Sequence, residues 1–545
     1  MRVSMRGMVV APHTLAVEEG VRVLRKGANA VDAAVTAAFV QCVVGIGSCG
    51  IGGFGSFNVY MSDGGVHRII DFHGKAGSKV RPDMWKDLVV GEERSGYGYI
   101  LKGRVNDVGY QSITTPATPL GLHEALTRFG TISLQEALTP AIQYAEKGFS
   151  FQGERSRAWG FKLAPNAPTF ADRLKTTKAS EDIFLREGRP HYPGENMVQK
   201  DLAETLKRIS REGVEDFYSG DICDRMVHDL EEHGSFLESR DIEGYRVSVV
   251  EPLQTGYRGF RVYTNPLPGG GITLIEILKI LEGYDLQRHE WRGLGEGADQ
   301  YMHLVASSFK AAHKDRGEYV GDPSFVDVPA KMLASEEHAA RWRERIDSGE
   351  KISIPRLTPR EEPSTTHISV VDSRGNAVSL THSLGNSSGV VTPGLGFLYN
   401  NCMNCFNPQP GHPNSIAPGK IRSSGMTPTI VLKGDEPHII IGAPGGNRII
   451  GAVAQGILNI VDHGMTPVEA VSAPRIDCQW LDTVDVSGRI PHDLCRSLEQ
   501  KGHRVAKSPF DYEAFALVQA LLVDKEHKSV LGGSDPRGGG VALSE

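Results

Sequence analysis

Residues 365–384, TTHISVVDSRGNAVSLTHSL, predict a short antiparallel hairpin, and this hairpin limits the folds that the chain can adopt. Its two arms alternate in the manner of strands, and the turn-forming segment Ser373–Asn376 separates them. A turn centred near Arg374 predicts that Thr365 lies directly opposite Ser383, so that two hydroxyl groups face each other. Taken alone, the adjacent threonines favour an ordinary structural strand, because β-branched side chains suit a pleated surface.

A second informative segment is HIIIGAPGGNRIIGAVAQGILNIV, residues 438–461, in which an apolar strand turns through glycines into a helix. The backbone amides of Gly445 and Gly446 can approach a negatively charged oxygen closely, and the following helix dipole reinforces that attraction. The loop lacks the lysine and hydroxyl residue of a nucleotide-binding P-loop. Two interpretations stay open: an oxyanion site for acyl transfer, and a turn that needs glycine for backbone reasons alone.

Acyl transfer by a threonine hydroxyl requires a base, and the sequence offers no obvious Ser-His-Asp arrangement. A threonine whose preceding peptide bond has been cut carries its own base, because a free α-amine has a pKa of about 7.7 to 8. Cleavage between Ser364 and Thr365 would therefore create the nucleophile and the base together. The polar, proline-containing segment 352–364, ISIPRLTPREEPS, is the place where such a bond could be strained and attacked.

These residues also carry a family resemblance. TTHISVVDSRGNAVSLT resembles the start of the small subunit in the γ-glutamyltransferase family of N-terminal-nucleophile hydrolases, and PGGNRII resembles the oxyanion loop of that family. Further similar stretches follow in family order along essentially the whole chain: GMVVAPHTLAVEEGVRVLRKGANAVDAAV, TTPATPLGL, PLPGGGITLIEILKILEGYDL, DRGEYVGDPSF and MTPTIV.

The resemblance implies an α/β (α+β) fold, a single four-layer αββα sandwich. It implies a precursor that cuts itself into residues 1–364 and 365–545, two subunits that stay together, with a homodimer of that heterodimer as a candidate assembly. It also assigns Thr365 as the nucleophile and Ser383 as the supporting hydroxyl, which is usually threonine in the family. Gly445 and Gly446 match the oxyanion donors.

The positions that bind substrate in this family differ in the present sequence. His73 stands where family enzymes carry an arginine for the substrate α-carboxylate, and Cys405 replaces the carboxylate that binds the α-amino group. Cys402 replaces a neighbouring glutamine or glutamate. Because imidazole is only partly charged near neutral pH and a thiol is mostly neutral, both charge partners of a γ-glutamyl group are weakened together.

Two further positions depart from the family pattern. Gly385 replaces an asparagine, although Asn386 follows and could substitute for it. Ser424 and Gly425 stand where the family has two serines. Thr366 falls on the opposite face of its strand from Thr365 and is expected to be structural.

The expected function is therefore amide hydrolysis or acyl transfer through an acyl-enzyme on Thr365, with an N-acyl small molecule other than a standard γ-glutamyl compound as substrate. One alternative is a genuine γ-glutamyl hydrolase or transferase acting on glutathione or related compounds with rebuilt binding residues. Another is a non-enzymatic binding protein, which the retained Thr365, Ser383 and glycine pair disfavour.

The composition of the chain indicates which classes of molecule it can bind. A net charge of -7 and a pI near 6.3 provide no basic surface for nucleic acid or an anionic membrane, so a small-molecule amide is the expected partner. No run of about 18 apolar residues occurs, and the N-terminal apolar stretch is too short for a secretory signal, which predicts a cytoplasmic protein.

The 7 cysteines are too scattered for a disulfide framework. Cys402 and Cys405 lack a second ligand pair, and neither a metal nor a cofactor is expected.

One glycine motif suggests a different function, dinucleotide binding. The segment Gly45–Gly50, GIGSCG, fits the G-x-G-x-x-G of dinucleotide-binding proteins, and Asp71 follows at about the right distance. That fingerprint requires a strand before the glycines and a helix after them, whereas the apolar helix predicted in NAVDAAVTAAFVQCVVG precedes them here. We therefore expect no dinucleotide. Periodicity also predicts a helix ending at Gly27, and helices over 121–147, 198–211, 272–283, 297–313 and 335–347.

Overall fold

Two β-sheets packed face to face form the centre of the computed structural model, and helices cover both outer faces. The structure describes residues 6–92, 99–152, 159–160, 167–354, 365–479, 482–511 and 515–545. Most of the predicted linker 352–364, including Ser364, lies outside these residues.

Sheet A holds the predicted hairpin at its centre. Within the described residues it has 7 strands, in the spatial order Val541–Ser544, Met8–Ala11, Thr365–Val371, Ala377–Ser383, Phe54–Met61, Val66–Phe72 and Ser248–Val250. All the pairs between neighbouring strands are antiparallel. Both hairpin strands are buried along their whole length, since they have a neighbouring strand on each side and another layer on each face.

Sheet B is the second central layer. Its 6 described strands follow the order Ser529–Ser534, Gln519–Asp524, Glu436–Gly442, Thr429–Lys433, Phe260–Thr264 and Leu253–Tyr257. An apolar cluster joins the two sheets through Val10, Val371, Ile440 and Leu521, among others. This cluster fills the middle of the sandwich and leaves the Thr365 end of the hairpin to polar residues.

The helices complete four layers. Helices Ala30–Val44 and Thr118–Phe129 pack on sheet A, and helices Gly271–Glu282 and Arg448–Val461 pack on sheet B. The αββα expectation is thus confirmed. The described helices are Thr14–Arg25, Ala30–Val44, Thr118–Phe129, Leu134–Lys147, Phe170–Arg173, Lys178–Phe184, Lys200–Glu212, Glu215–Ser219, Asp221–Glu232, Ser239–Glu243, Gly271–Glu282, Ala298–Tyr319, Ala330–Leu333, Glu336–Asp347, Arg448–Val461, Pro467–Ser472 and His492–Gln500.

One helix prediction was wrong in detail. The stretch 121–147 forms two helices, Thr118–Phe129 and Leu134–Lys147. The first helix ends at Gly130, and the second begins with a capping box in which Ser133 and Glu136 bond each other's backbone amides. These local signals end one helix and start another although the apolar periodicity continues through them.

The glycine segment after helix Ala30–Val44 leads into strand Phe54–Met61, so the order is helix, glycines, strand, as the sequence indicated. Its glycines permit close packing of backbone. A Cβ on Gly53 would lie 2.2 Å from the carbonyl oxygen of Ser383, and one on Gly52 would lie 2.4 Å from that of Leu398. The segment therefore supports the end of the Thr365 hairpin. None of the helices in the described part of the chain is long and apolar enough to span a membrane.

Candidate active site

The hairpin turn fixes which residues face each other. Carboxylate Oδ1 of Asp372 accepts hydrogen bonds from the amides of Arg374 at 2.9 Å and Asn376 at 3.0 Å, which closes the turn. The strands then pair Thr365 with Ser383, as predicted. This register sets the geometry of the whole site.

Thr365 and Ser383 form a hydroxyl pair at the mouth of the hairpin. Their side-chain oxygens are 3.0 Å apart, and the two residues are 8% and 1% exposed. The backbone amide of Gly385 donates to Ser383 Oγ at 2.8 Å. Because this hydrogen bond from the Gly385 amide orients the serine hydroxyl, Ser383 can hold Thr365 Oγ1 in one position and stabilise charge on it.

Behind Thr365 the same face of the hairpin continues with a buried imidazole. His367 Nδ1 lies 2.8 Å from Thr381 Oγ1, and its Nε2 lies 3.1 Å from Ser369 Oγ. Burial, assisted by the nearby His382, lowers the pKa of His367 to about 3, so the ring is neutral. With both nitrogens engaged by hydroxyls, His367 supports the strands and does not provide a base for Thr365.

The opposite face of the hairpin belongs to the helical layer. His382, which pairs with Thr366, contacts Gln41 Oε1 of helix Ala30–Val44 through Nε2 at 2.8 Å. Burial also lowers the pKa of His382 to about 3. Thr366 is 0% exposed. The structure therefore separates the two adjacent threonines, with Thr365 at the site and Thr366 against the helices.

The glycine loop reaches the same end of the sandwich. Ser379 Oγ donates to the carbonyl of Ile441 at 2.9 Å, and a Cβ on Gly442 would lie 2.1 Å from the ring of His367. Since His367 is nearer to Thr365 than Ser379 is along the hairpin, the chain travels toward Thr365 as it leaves strand Glu436–Gly442. The loop that follows is thus directed to the hydroxyl pair.

Gly445 and Gly446 adopt backbone conformations that suit glycine, with φ of 146° and 62°. A Cβ on Gly445 would lie 2.4 Å from the Cβ of Ala516, so any side chain would displace the loop. Within the described ranges, nothing accepts a hydrogen bond from the amide of either glycine. Two N–H groups at the start of helix Arg448–Val461 are therefore available to a negatively charged oxygen.

A row of side chains extends the site across sheet A. Ser383 pairs with Phe54 on the next strand, and the Phe54 ring centroid lies 5.6 Å from that of His73. His73 is 1% exposed, and its Nδ1 lies 2.9 Å from Asp71 Oδ1. Its Nε2 is buried and has no hydrogen-bond partner among the residues that the structure describes. The structure thus brings the predicted substrate residue His73 to this end of the sheet.

Sequence reasoning missed the cation at this end. The guanidinium of Arg422 lies over the Phe54 ring, 4.9 Å from its centroid, and Arg422 is only 2% exposed. Its Nη2 is 3.9 Å from the sulfur of Cys402, and Phe54, Cys402 and Met426 form one apolar cluster. The signal was present in the sequence as an arginine two residues before the predicted Ser424, yet its contact with Phe54 depends on the fold.

The remaining predicted residues are buried near these groups. Ser424 is 0% exposed, its hydroxyl accepts from the amide of Met426, and its carbonyl accepts from Arg316. The amide of Asn386 donates to Asn401 Oδ1 at 2.8 Å. Cys405 Sγ lies 2.9 Å from Asn404 Oδ1. Of the two cysteines, Cys402 is the one with a described contact to Arg422.

Two groups of potential metal ligands occur in the described part of the chain: Cys42, Cys49 and His382, and Glu276, Asp315 and His338. In the second group His338 Nε2 lies 2.7 Å from Asp315 Oδ2 and 3.3 Å from Glu276 Oε1. These acids raise the pKa of His338 to about 9, so an imidazolium already balances them. In the first group burial raises the pKa of the Cys42 thiol. A protonated thiol is a poor metal ligand, and neither group takes part in the site.

Comparisons with known proteins agree over most of the chain. Residues 16–544 match the family described as Gamma-glutamyltranspeptidase. A glutathione hydrolase proenzyme from Pseudomonas sp. (strain A14) is 34% identical over 97% of this chain and 92% of its own length. The acylase ACY 1 proenzyme of Pseudomonas sp. (strain V22) is 35% identical over 92% of this chain and 88% of its own.

Among solved structures, the cephalosporin acylase from Bacillus halodurans superimposes with a TM-score of 0.86 at 28% identity, covering 99% of this chain and 96% of that one. Relatives named as glutathione hydrolases and as acylases are therefore almost equally similar in sequence. Overall similarity identifies the kind of reaction and leaves the acyl group to be inferred from individual residues.

Proposed function

Because the chain belongs to the gamma-glutamyltranspeptidase family of N-terminal-nucleophile amidohydrolases and acyltransferases, we propose that it cuts itself before Thr365 and then cleaves amides through an acyl-enzyme on that residue. The observation that carries this proposal is the 3.0 Å contact between the hydroxyls of Thr365 and Ser383, at the first residue of a central strand. The proenzyme names of the relatives support the self-cleavage step.

The first step makes the nucleophile. Thr365 Oγ1 attacks the carbonyl carbon of Ser364, the peptide C–N bond breaks, and the acyl group moves from nitrogen to oxygen. Water then hydrolyses the resulting ester, which leaves a carboxylate on Ser364 and a free α-amine on Thr365. The products are residues 1–364 and residues 365–545.

The second step uses the amine as a base. The amine takes the proton of Thr365 Oγ1 as the oxygen attacks the substrate carbonyl, and the amides of Gly445 and Gly446 stabilise the resulting oxyanion. The C–N bond of the substrate then breaks, the departing amine receives the proton, and Thr365 carries the acyl group as an ester. Attack by water gives hydrolysis, and attack by an acceptor amine gives transfer.

The proposed substrate follows from the residues around His73, at the end of the row across sheet A that lies away from Thr365. A γ-glutamyl group needs a cation for its carboxylate and an anion for its ammonium, because either charge is costly to bury unpaired. Among the described contacts here, the carboxylate of Asp71 is bonded to His73, and the residues at positions 402 and 405 are cysteines and not carboxylic acids. We therefore expect an acyl group that lacks an α-ammonium.

N-terminal sequencing of the purified protein tests the mechanism. Two bands are expected in a denaturing gel in place of one chain of 59.2 kDa, and the smaller should begin Thr-Thr-His-Ile. Thr365→Ala should remain one folded, inactive chain. Its matched control is Thr366→Ala, which alters the neighbouring threonine on the helix side and should be cut and active. A fully active uncut chain would refute the mechanism.

A further inference from the structure

Three buried residues, Asp107, Arg173 and Asn401, form a polar cluster behind the turn that follows Ser383. Carboxylate Oδ2 of Asp107 accepts from Nη2 of Arg173 at 2.9 Å, and Oδ1 accepts from Nδ2 of Asn401 at 3.0 Å. The backbone carbonyl of Asp107 also accepts from both side chains, at 3.0 Å from Arg173 and 3.1 Å from Asn401. Asp107 therefore supplies both described acceptors of the Asn401 NH2 group.

Asn401 connects this cluster to the turn after Ser383. Its Oδ1 accepts from the amide of Asn386 at 2.8 Å, and its own backbone amide donates to the carbonyl of Leu384 at 3.1 Å. Gly385 lies between these two residues, and a Cβ on it would lie 2.4 Å from Asn401 Oδ1. Because the residues on both sides of Gly385 are bonded to Asn401, the Gly385 amide has a fixed direction. That amide donates to Ser383 Oγ at 2.8 Å.

The carboxylate of Asp107 determines which way the Asn401 side chain faces. An amide side chain has an NH2 end that donates and an oxygen that accepts, and the two ends have nearly the same shape. A carboxylate accepts hydrogen bonds from the NH2 end and repels the oxygen. With its NH2 end directed to Asp107, Asn401 presents its oxygen to the backbone N–H of Asn386. The reversed side chain would place two donors against each other at Asn386.

We infer that Asp107, acting through Asn401, is a positioning residue that directs the Ser383 hydroxyl toward the nucleophile. This inference rests on the proposed function, because it takes Thr365 as the nucleophile. The hydroxyl of Ser383 lies 3.0 Å from Thr365 Oγ1, so a change in its direction alters the support of the nucleophile and leaves the space for the substrate as it is. Loss of the Asp107 carboxylate should therefore lower kcat and leave KM almost unchanged.

An exchange of the amide and the carboxylate tests this orientation. In Asp107→Asn the guanidinium of Arg173 still needs an oxygen, so the new NH2 group would face the NH2 end of Asn401. In Asn401→Asp two carboxylates would face each other. Each single variant should lower kcat and the rate of self-cleavage about 3- to 10-fold, the effect of one lost neutral hydrogen bond. The double variant should be faster than either, because a donor again faces an acceptor and position 401 still accepts from the amide of Asn386.

Two rates are measured for each variant. The rate of self-cleavage is the rate at which the precursor band splits after synthesis, and it needs no added substrate. Turnover by the processed enzyme is followed with a panel of N-acyl p-nitroanilides that includes the γ-glutamyl compound. The values of kcat and KM are taken on the anilide that the wild type cleaves fastest, and KM should stay within about twofold in every variant.

Asp462→Asn is the matched control. Asp462 is a buried carboxylate that lies 3.0 Å from Nε of Arg258 and accepts from the hydroxyl of Tyr257 at 2.7 Å. It follows helix Arg448–Val461, at the end of that helix away from the oxyanion glycines. This variant also removes the charge of a buried carboxylate beside an arginine, so it should lose stability in urea as Asp107→Asn does. Its kcat and its rate of self-cleavage should remain near normal.

The outcomes separate the inference from the proposed function. A wild type that does not cut itself before Thr365, or that cleaves none of the anilides, would refute the proposed function. A wild type that does both, with a folded Asp107→Asn protein of normal kcat, would refute the inference alone. Losses that add in the double variant would refute it as well. If Asp107→Asn does not fold, the comparison of Asn401→Asp with the double variant decides the same question.

Discussion

The two ends of the residue row across sheet A are built differently. The proposed reaction end, Thr365 and Ser383, comes from a single hairpin whose turn is closed by one aspartate. The other end, where Phe54, Arg422 and Cys402 lie, comes from segments that are separate in the sequence and meet only in the folded protein. The proposed reaction end therefore depends on local register, while the other end depends on how distant segments pack in the folded protein.

The strongest test of the comparison is Gly445→Ala, which should damage the reaction end alone. An added Cβ would lie 2.4 Å from Ala516 and would displace the oxyanion amides. Losing one such donor costs about 100- to 1,000-fold in kcat, and we expect a loss in this range with little change in KM.

Gly434→Ala provides the control for that experiment. Gly434 also has a positive φ, 62°, but no atom lies within 4 Å of its added Cβ. Gly434→Ala should lower the stability slightly at most and leave kcat unchanged. An equal loss of kcat in both variants would show that the effect arises from backbone strain and not from the oxyanion site.

Ser383→Ala tests whether the hairpin register places a hydroxyl where it assists the reaction of Thr365. The variant removes the hydroxyl that lies 3.0 Å from Thr365 Oγ1. The activation free energy of self-cleavage or turnover should rise by about 1 to 3 kcal/mol, which slows the rate roughly 5- to 150-fold. Rates of band splitting after synthesis and of anilide cleavage would measure it. Ser388→Ala, a buried serine that bonds the carbonyl of Tyr399, is the control and should leave both rates near normal. Unchanged rates for Ser383→Ala would contradict the role given to this hydroxyl.

The smallest expected effect concerns the support beneath the reaction end. His367 has a pKa of about 3 when folded, against about 6.5 in an unfolded chain, so acid protonates the unfolded state first. The free energy of unfolding should fall as the pH drops from about 6.5 toward 3, by about 2 kcal/mol between pH 7 and pH 5 from this group.

Urea unfolding of His367→Gln at pH 7 and pH 5 would measure this share. The variant should be less sensitive to acid than the wild type, whatever its absolute stability. His228→Gln, at a side chain that is 85% exposed, should retain the wild-type pH dependence. If His367→Gln loses as much stability in acid as the wild type does, the neutral imidazole is not responsible.

The limits of sequence reasoning follow the same division. The pairing of Thr365 with Ser383 could be predicted because the Asp372 turn and the alternation of the strands are local. Helix Ala30–Val44 could be predicted as a core helix from its apolar residues alone. The contact between Arg422 and Phe54 could not be predicted, because the two residues are hundreds of positions apart and meet only in the folded protein. The family resemblance pointed to His73, which directly follows strand Val66–Phe72 and lies beside the Phe54 ring.

The strand order of the two sheets has a consequence for assembly. In sheet A, strands from before and after residue 365 are mixed, since Met8–Ala11 lies between Val541–Ser544 and Thr365–Val371, and Ala377–Ser383 adjoins Phe54–Met61. In sheet B, Thr429–Lys433 adjoins Phe260–Thr264. A cut before Thr365 would leave two interlocked fragments that cannot separate without breaking main-chain ladders in both sheets. Dilution alone should not dissociate them, and fragments synthesised separately would have to fold around each other, so the intact precursor is the natural template for its own two-chain product.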